Sequence, residues 1–286
     1  MTATPAPAPA HVPTRPSGIS FRTRRFVDRY LLLIYTAFAV IYLMLPVAMV
    51  ILFSFNDPAG KSNVVWQGFT LKYWLHPFAV DGLPQAVGLS LMIAFLSTAI
   101  ATVLGTLIAL ALVRYNFRGR RASNSLIFLP MATPEIILGA SLLTMFVSIG
   151  ADPFFPLNAV TILIAHVMFS ISFVVVTVRA RLAGFPRHLE EAAMDLYANE
   201  MQTFWKVTFP LILPGIIAAA LLVFSLSIDD FVITNFTSGK AQTFPMFIYA
   251  KNRIGVPVQV NVIGTIIFAV AVGGVLLSTW SGRRRR

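Results

Sequence analysis

Six apolar runs, each near or beyond the roughly 20 residues that cross a bilayer core, leave this chain few folds. They lie at about Tyr30–Phe53, Ala86–Val113, Leu126–Ile149, Asn158–Val178, Leu211–Ile233 and Gln259–Trp280. Hydrocarbon offers no partner to a backbone N–H or C=O, so each run must bond internally as a helix. The chain therefore reads as an all-α polytopic membrane protein with six transmembrane helices. Its make-up agrees: 57% of residues are hydrophobic and 12% charged, against about 25% charged in soluble domains. It has no cysteine, which excludes disulfides and thiol chemistry.

The formal charge of +11 has a distribution that speaks of orientation, not of nucleic acid. Arg22, Arg24, Arg25 and Arg29 precede the first span, and Arg114, Arg118, Arg120 and Arg121 follow the second. Arg179, Arg181, Arg187 and Lys206 follow the fourth, and Arg283 to Arg286 end the chain. The other side carries Lys61, Lys72, Lys240, Lys251 and Arg253. By the positive-inside rule both termini and the loop at about 180–210 are cytoplasmic. Residues 1–29 form a basic tail whose Ala- and Pro-rich start predicts disorder. Residues 30–280 form one membrane domain, and 281–286 a basic tail. The first run is too long for a signal-peptide core, so it is expected to be a retained span.

The stretch Leu189–Pro214 is the longest interior run that is both polar and helix-prone. Glu190, Glu191, Asp195 and Glu200 alternate with Leu189, Ala192, Ala193, Met194 and Leu196, a spacing that predicts a short amphipathic helix after Pro186. A second short helix is expected from Glu200 to Lys206. Four acids make a poor fit to anionic headgroups, which favour Lys and Arg, so a protein partner is the better reading.

These residues carry a resemblance. Glu191-Ala192-Ala193, three residues, Tyr197, nine residues and then Val207-Thr208-Phe209-Pro210 resemble the EAA loop of ABC importer permeases. The usual residue at the Tyr197 position is Gly, which reaches a left-handed turn without strain. The resemblance implies that Glu190, Glu191, Ala192, Ala193, Asp195, Leu196 and Tyr197 form a helix that docks in a groove of a separate ATPase subunit. ATP and Mg would belong to that subunit, with no cofactor on this chain. Gly60-Lys61-Ser62 is no phosphate loop, because Phe55 stands where a P-loop has its first Gly.

Three carboxylates fall within spans: Glu135, Asp229 and Asp230. A carboxylate costs about 2.5–3.5 kcal/mol at the centre of a span and normally faces a cavity or a partner; Glu135 counts to mid-depth, and Asp229 and Asp230 toward the outer end of the fifth span, where the cost is lower. Glu135 and His166 count to similar mid-depth in neighbouring spans, so a hydrogen bond between them is expected. On a regular helix Asp229 shares a face with Ser225, and Asp230 with Ser227 and Thr234. A negative wall there would attract a cation. Pro130, Pro134 and Gly139 interrupt the third span, and broken helices often line substrate routes. The outer loop Ser54–Gln85 holds Trp66, Phe69, Tyr73 and Trp74, which suit either an interfacial belt or a docking surface.

A narrower resemblance covers most of the chain after Ser54. Trp66-Gln67-Gly68-Phe69-Thr70, Arg114-Tyr115-Asn116-Phe117-Arg118-Gly119, Phe224-Ser225-Leu226-Ser227-Ile228-Asp229-Asp230-Phe231 and Val260-Asn261 are similar to the second permease subunits of spermidine/putrescine importers. That implies a homologous second permease subunit, two ATPase subunits, an external binding protein, a bacterial plasma (inner) membrane location and a polyamine cargo. Substrate-path candidates are then Asp229, Asp230, Glu135, Phe231, Ser225 and Asn261. Carboxylates beside aromatic rings suit a polycation with short apolar spacers. Two alternatives are the same permease architecture carrying another small solute, and a secondary transporter. The latter leaves the Glu191 loop without a purpose. The four His residues are dispersed, at 11, 76, 166 and 188, and suggest no metal centre.

Overall fold

The computed structural model describes residues 21–60, 62–149 and 156–283, with side chains described between Tyr30 and Gly274. In chain order the helices are α1 (Phe21–Phe53), α2 (Lys72–Leu75), α3 (Leu83–Arg114), α4 (Arg120–Ala132), α5 (Glu135–Ile149), α6 (Ala159–Ala183), α7 (His188–Asp195), α8 (Glu200–Thr203), α9 (Phe209–Asp229), α10 (Val232–Thr237), α11 (Phe244–Asn252) and α12 (Val258–Arg283). A π-type turn, Phe204–Thr208, joins α8 to α9. Extended pairing among the described residues is limited to one bridge between Asn56 and Phe69.

Small residues decide where the helices meet. Ala101, Ala109, Leu112, Val174, Val178, Ala219 and Val223 form the buried seam of α3, α6 and α9. Gly105 lies so close to Val174 that a Cβ there would stand 2.6 Å from the Val174 Cβ. Close approach between such faces brings dispersion contact where lipid offers no hydrophobic drive. A second cluster joins Leu83, Ala86 and Val87 to Phe244, Phe247, Val260 and Ile263. α1 leans on α12 and is otherwise exposed in the single chain, as suits a helix whose neighbour is lipid.

Four described helical segments are long and apolar enough to cross a membrane: Tyr30–Phe53, Leu83–Arg114, Ala159–Ala183 and Glu200–Asp229. The predicted third span is not one rod. α4 and α5 meet at a bend of 108°. Pro134 causes it: the ring disfavours the helical region for the residue before it, and Thr133 sits extended at φ −81°, ψ 131°. Counted as one broken span, the pair brings the number to five. α12 carries the sixth predicted span, and its apolar described part runs Val258–Gly274. The predicted fifth span, Leu211–Ile233, also needs correction. α9 ends at Asp229, Asp230 turns extended at ψ 122°, and Ile233 belongs to α10.

The loop between α1 and α3 is ordered around two amides. Asn56 Nδ2 donates to Asn63 Oδ1 at 2.7 Å and to the Val65 carbonyl at 2.8 Å. Its Oδ1 accepts from the Gln67 amide at 2.8 Å, and Asn63 Nδ2 donates to the Phe53 carbonyl at 2.8 Å. Phe55 stacks between Phe69 and Trp74, at 5.5 and 5.1 Å.

Candidate functional site

Two groups of polar residues stand out against this apolar frame. The first sits where α9 breaks. With ψ at 122°, Asp230 leaves the helix and places its carboxylate over the first turn of α10. Oδ1 accepts from the Ile233 amide at 3.3 Å, and Oδ2 from the Thr234 amide at 2.8 Å and the Thr234 hydroxyl at 2.7 Å. His166 of α6 completes the cluster. Its Nε2 lies 2.9 Å from Thr234 Oγ1 and 3.3 Å from Asp230 Oδ2, and its Nδ1 lies 2.7 Å from Ser227 Oγ. Ser227 reaches on to Ser97 of α3 at 3.0 Å. One polar chain thus ties α3, α6, α9 and α10, with His166 and the Asp230 side chain both buried.

The expected Glu135–His166 hydrogen bond does not form. His166 turns toward the α9 break instead, where Ser227, Thr234 and Asp230 are its partners. Ser227 and Thr234 do gather with Asp230, through the break and not through a shared helix face. In the His166→Leu variant, Asp230 keeps its bonds to Thr234 but loses its imidazole neighbour, and Ser227 loses a partner. We expect a lower thermal midpoint for the purified protein, equivalent to about 1–3 kcal/mol. Unchanged melting and assembly would contradict this role.

Asp229 has the opposite setting. It is exposed in the single chain, as is Ser225 one turn earlier. Glu135 opens α5 just after the bend and is exposed. Asp229 lies within electrostatic range of Glu135. Two helix breaks therefore bring two carboxylates toward one flank. α10 packs on α5, and Gly139 is what permits it, because a Cβ there would meet the Phe236 ring at 2.6 Å. Phe231 is half-buried with its ring 4.7 Å from Tyr249. Asn261 stands apart on α12 beside buried Val260 and Val262, and its carbonyl accepts from Thr265. Among the described residues no group of three or more His, Asp or Glu is placed to hold a metal ion.

The second group is the polar loop. α7 spans His188–Asp195 and none of its residues is buried. Glu191, Ala192 and Asp195 are exposed and Ala193 half-exposed, while Leu196 and Tyr197 are 82% and 99% exposed. These apolar side chains are bare outside the spans. Glu190 alone of the seven turns inward. Tyr197 has φ 64°, the one positive value at a non-glycine among the described residues. The Ala198 amide bonds back to the Ala193 carbonyl at 3.1 Å, closing α7 with a left-handed turn. α8 starts with a reciprocal capping box between Asn199 and Gln202, which separates the two short helices. Left-handed backbone costs about 1–2 kcal/mol at a residue with a Cβ, part of which Gly returns as lost chain entropy. Tyr197→Gly is therefore expected to stabilise the isolated chain by about 0.5–1 kcal/mol in a thermal-shift assay. A lower midpoint would contradict the strain.

Apolar helices broken at carboxylates, with a pair of short exposed helices between two spans, suit a membrane permease. The chain belongs to the family described as binding-protein-dependent transport system inner membrane components, whose family model matches residues 101–283. It is 39% identical over 243 residues to the putrescine transport system permease protein PotI of Escherichia coli K12, covering 84% of this chain and 85% of that one. It is 37% identical over 238 residues to the spermidine/putrescine transport system permease protein PotC of Haemophilus influenzae, covering 83% and 90%. The fold matches a chain of a bacterial ABC transporter that imports alginate, with TM-score 0.67 and 18% identity over 92% of this chain and 99% of that one. It also matches a chain of the MetNI methionine ABC transporter, at TM-score 0.54 and 20% identity over 71% and 93%.

Proposed function

We propose that this chain is the permease subunit of an ATP-driven importer and forms half of the path for a polyamine such as spermidine or putrescine. One observation carries the reading: Glu135 and Asp229 stand exposed at two helix breaks, in a chain 39% identical to a putrescine permease. A carboxylate cannot face lipid cheaply. This flank therefore meets a homologous second permease subunit across a polar path. Asp229, Glu135, Ser225 and Phe231 line it, with Asn261 toward one side, while Asp230 shapes the break that presents Asp229. Carboxylates in a low-dielectric passage attract ammonium groups strongly, and aromatic walls suit the methylene spacers.

In this reading residues 30–280 cross the membrane six times, with both termini and the loop at about 180–210 cytoplasmic and the basic tails flanking the domain. The location is a bacterial inner membrane. Two separate ATPase subunits hold ATP and Mg, and this chain binds no cofactor and no nucleic acid. Glu191, Ala192, Ala193, Asp195, Leu196 and Tyr197 dock in an ATPase groove. A loaded external binding protein meets the outer loop, where the Asn56 and Phe55 clusters hold an ordered surface. ATP closes the ATPase pair, the docked helix moves with it, the path opens outward and receives cargo, and hydrolysis returns it inward.

ATPase activity of the purified complex in lipid, with its binding protein and a panel of small solutes, tests this. Stimulation by spermidine or putrescine is the expected result. Stimulation by a different solute alone would leave the permease and discard the cargo.

A further inference from the structure

Glu190 differs from every other acid of the loop in where its side chain goes. Its side chain is 14% exposed, and one oxygen, Oε1, accepts from Arg114 Nη2 at 2.7 Å and from the Thr208 hydroxyl at 2.6 Å. Arg114 is the last residue of α3, and its guanidinium also lies over the Phe185 ring at 5.4 Å. Thr208 is buried at the end of the π-type turn, where the Phe209 amide bonds five residues back to Phe204. Such turns recur at functional sites because an extra residue in the turn is readily absorbed or released. One carboxylate oxygen thus joins α7 to the end of α3 and to the start of α9.

The surroundings give this contact its weight. α7 buries no residue of its own and has no side-chain cap at its start. Hydrophobic burial therefore does little to fix it, and its charge-assisted bonds must supply the stiffness. Both helices reached by Glu190 belong to the central α3–α6–α9 seam. α9 ends at Asp229, on the far side of the apolar slab. Arg, with its planar fork and ring contact, is the cation suited to a half-buried bridge of this kind.

We infer that Glu190 is a positioning residue that fixes the docked helix to α3 and α9, so that displacement of α7 moves the break at Asp229, while its neighbour Glu191 faces the ATPase. The inference rests on the permease reading above and deepens it by separating two adjacent acids into an inward and an outward role.

The test uses the full complex in proteoliposomes and reads three quantities: ATPase retained on the permease, ATP hydrolysed, and cargo taken up per ATP. In Glu190→Gln the ATPase stays bound, and uptake per ATP falls about tenfold, the scale of losing a half-buried charge-assisted bond. Exchanging the charges, Glu190→Arg with Arg114→Glu, restores part of the loss. Thr208→Val removes one donor and leaves the ion pair, and uptake per ATP falls about threefold. It is the deciding variant if the Glu190→Gln permease does not fold. Loss of the ATPase from Glu190→Gln would put Glu190 in the docking contact and overturn the inference. Wild-type uptake per ATP in Glu190→Gln or in Thr208→Val would overturn it as well. If the unaltered chain retains no ATPase, the permease reading itself fails, which is a separate result.

Discussion

Ala193→Glu is expected to abolish coupled uptake while leaving the membrane domain folded. Ala193 sits half-exposed on α7 between the exposed Ala192 and Met194, and in the proposed docking its small methyl group would let the helix seat closely in the ATPase groove. A carboxylate there adds a fourth acid to the Glu190, Glu191 and Asp195 of α7. In the docked state it would be buried without a counter-charge, at about 3–5 kcal/mol. At about 1.4 kcal/mol per decade that weakens productive docking by more than a hundredfold. Uptake should vanish, and ATP hydrolysis, where the ATPase remains associated, should continue without responding to the loaded binding protein. Ala192→Glu should act in the same direction. Normal ATP-driven uptake by either variant in an assembled complex would refute the docking assignment.

Asp229→Asn is expected to cut polyamine uptake about tenfold or more, because a charge-assisted contact to an ammonium group contributes about 1.5–3 kcal/mol. Glu135→Gln should lower uptake in the same way. The two losses should fall short of adding, because both carboxylates act on one polycation. Neither change should lower the thermal midpoint, since both side chains are exposed in the single chain. Asp230→Asn should behave differently. Asp230 accepts from Thr234 and Ile233 and faces His166, so its loss should destabilise the protein itself. Uptake measured beside a thermal-shift assay separates the two aspartates. A destabilised Asp229→Asn with a stable Asp230→Asn would reverse their roles.

The adjacent acids show where sequence reasoning stops. Apolar runs announce helices in lipid, because burial and span length depend on composition alone. Pro134 announces a break, because its ring acts on the residue before it. The size of the bend, 108°, is not legible, since the proline fixes only that the helix breaks and not the angle at which α5 leaves. The break at Asp230 carries no Gly or Pro signal at all. It exists because His166 and Thr234 wait for the carboxylate, and His166 is 64 residues away in the chain. Depth counting placed His166 and Glu135 at one level and so paired them. It could not say which way an imidazole turns about the helix axis. Tyr197 is the opposite case: the loop pattern it resembles usually has Gly there, which allows a left-handed turn, and Tyr197 adopts one at φ 64°. Glu190 and Glu191 look alike in sequence. Only Arg114, at the end of a different helix, tells them apart.

Uptake of labelled spermidine and putrescine into proteoliposomes, with ATP inside and the loaded binding protein outside, tests the central claim most directly. ATP-dependent accumulation that is lost in Ala193→Glu and reduced in Asp229→Asn is the predicted result. Accumulation that needs no ATP, or that both variants leave intact, would contradict the account.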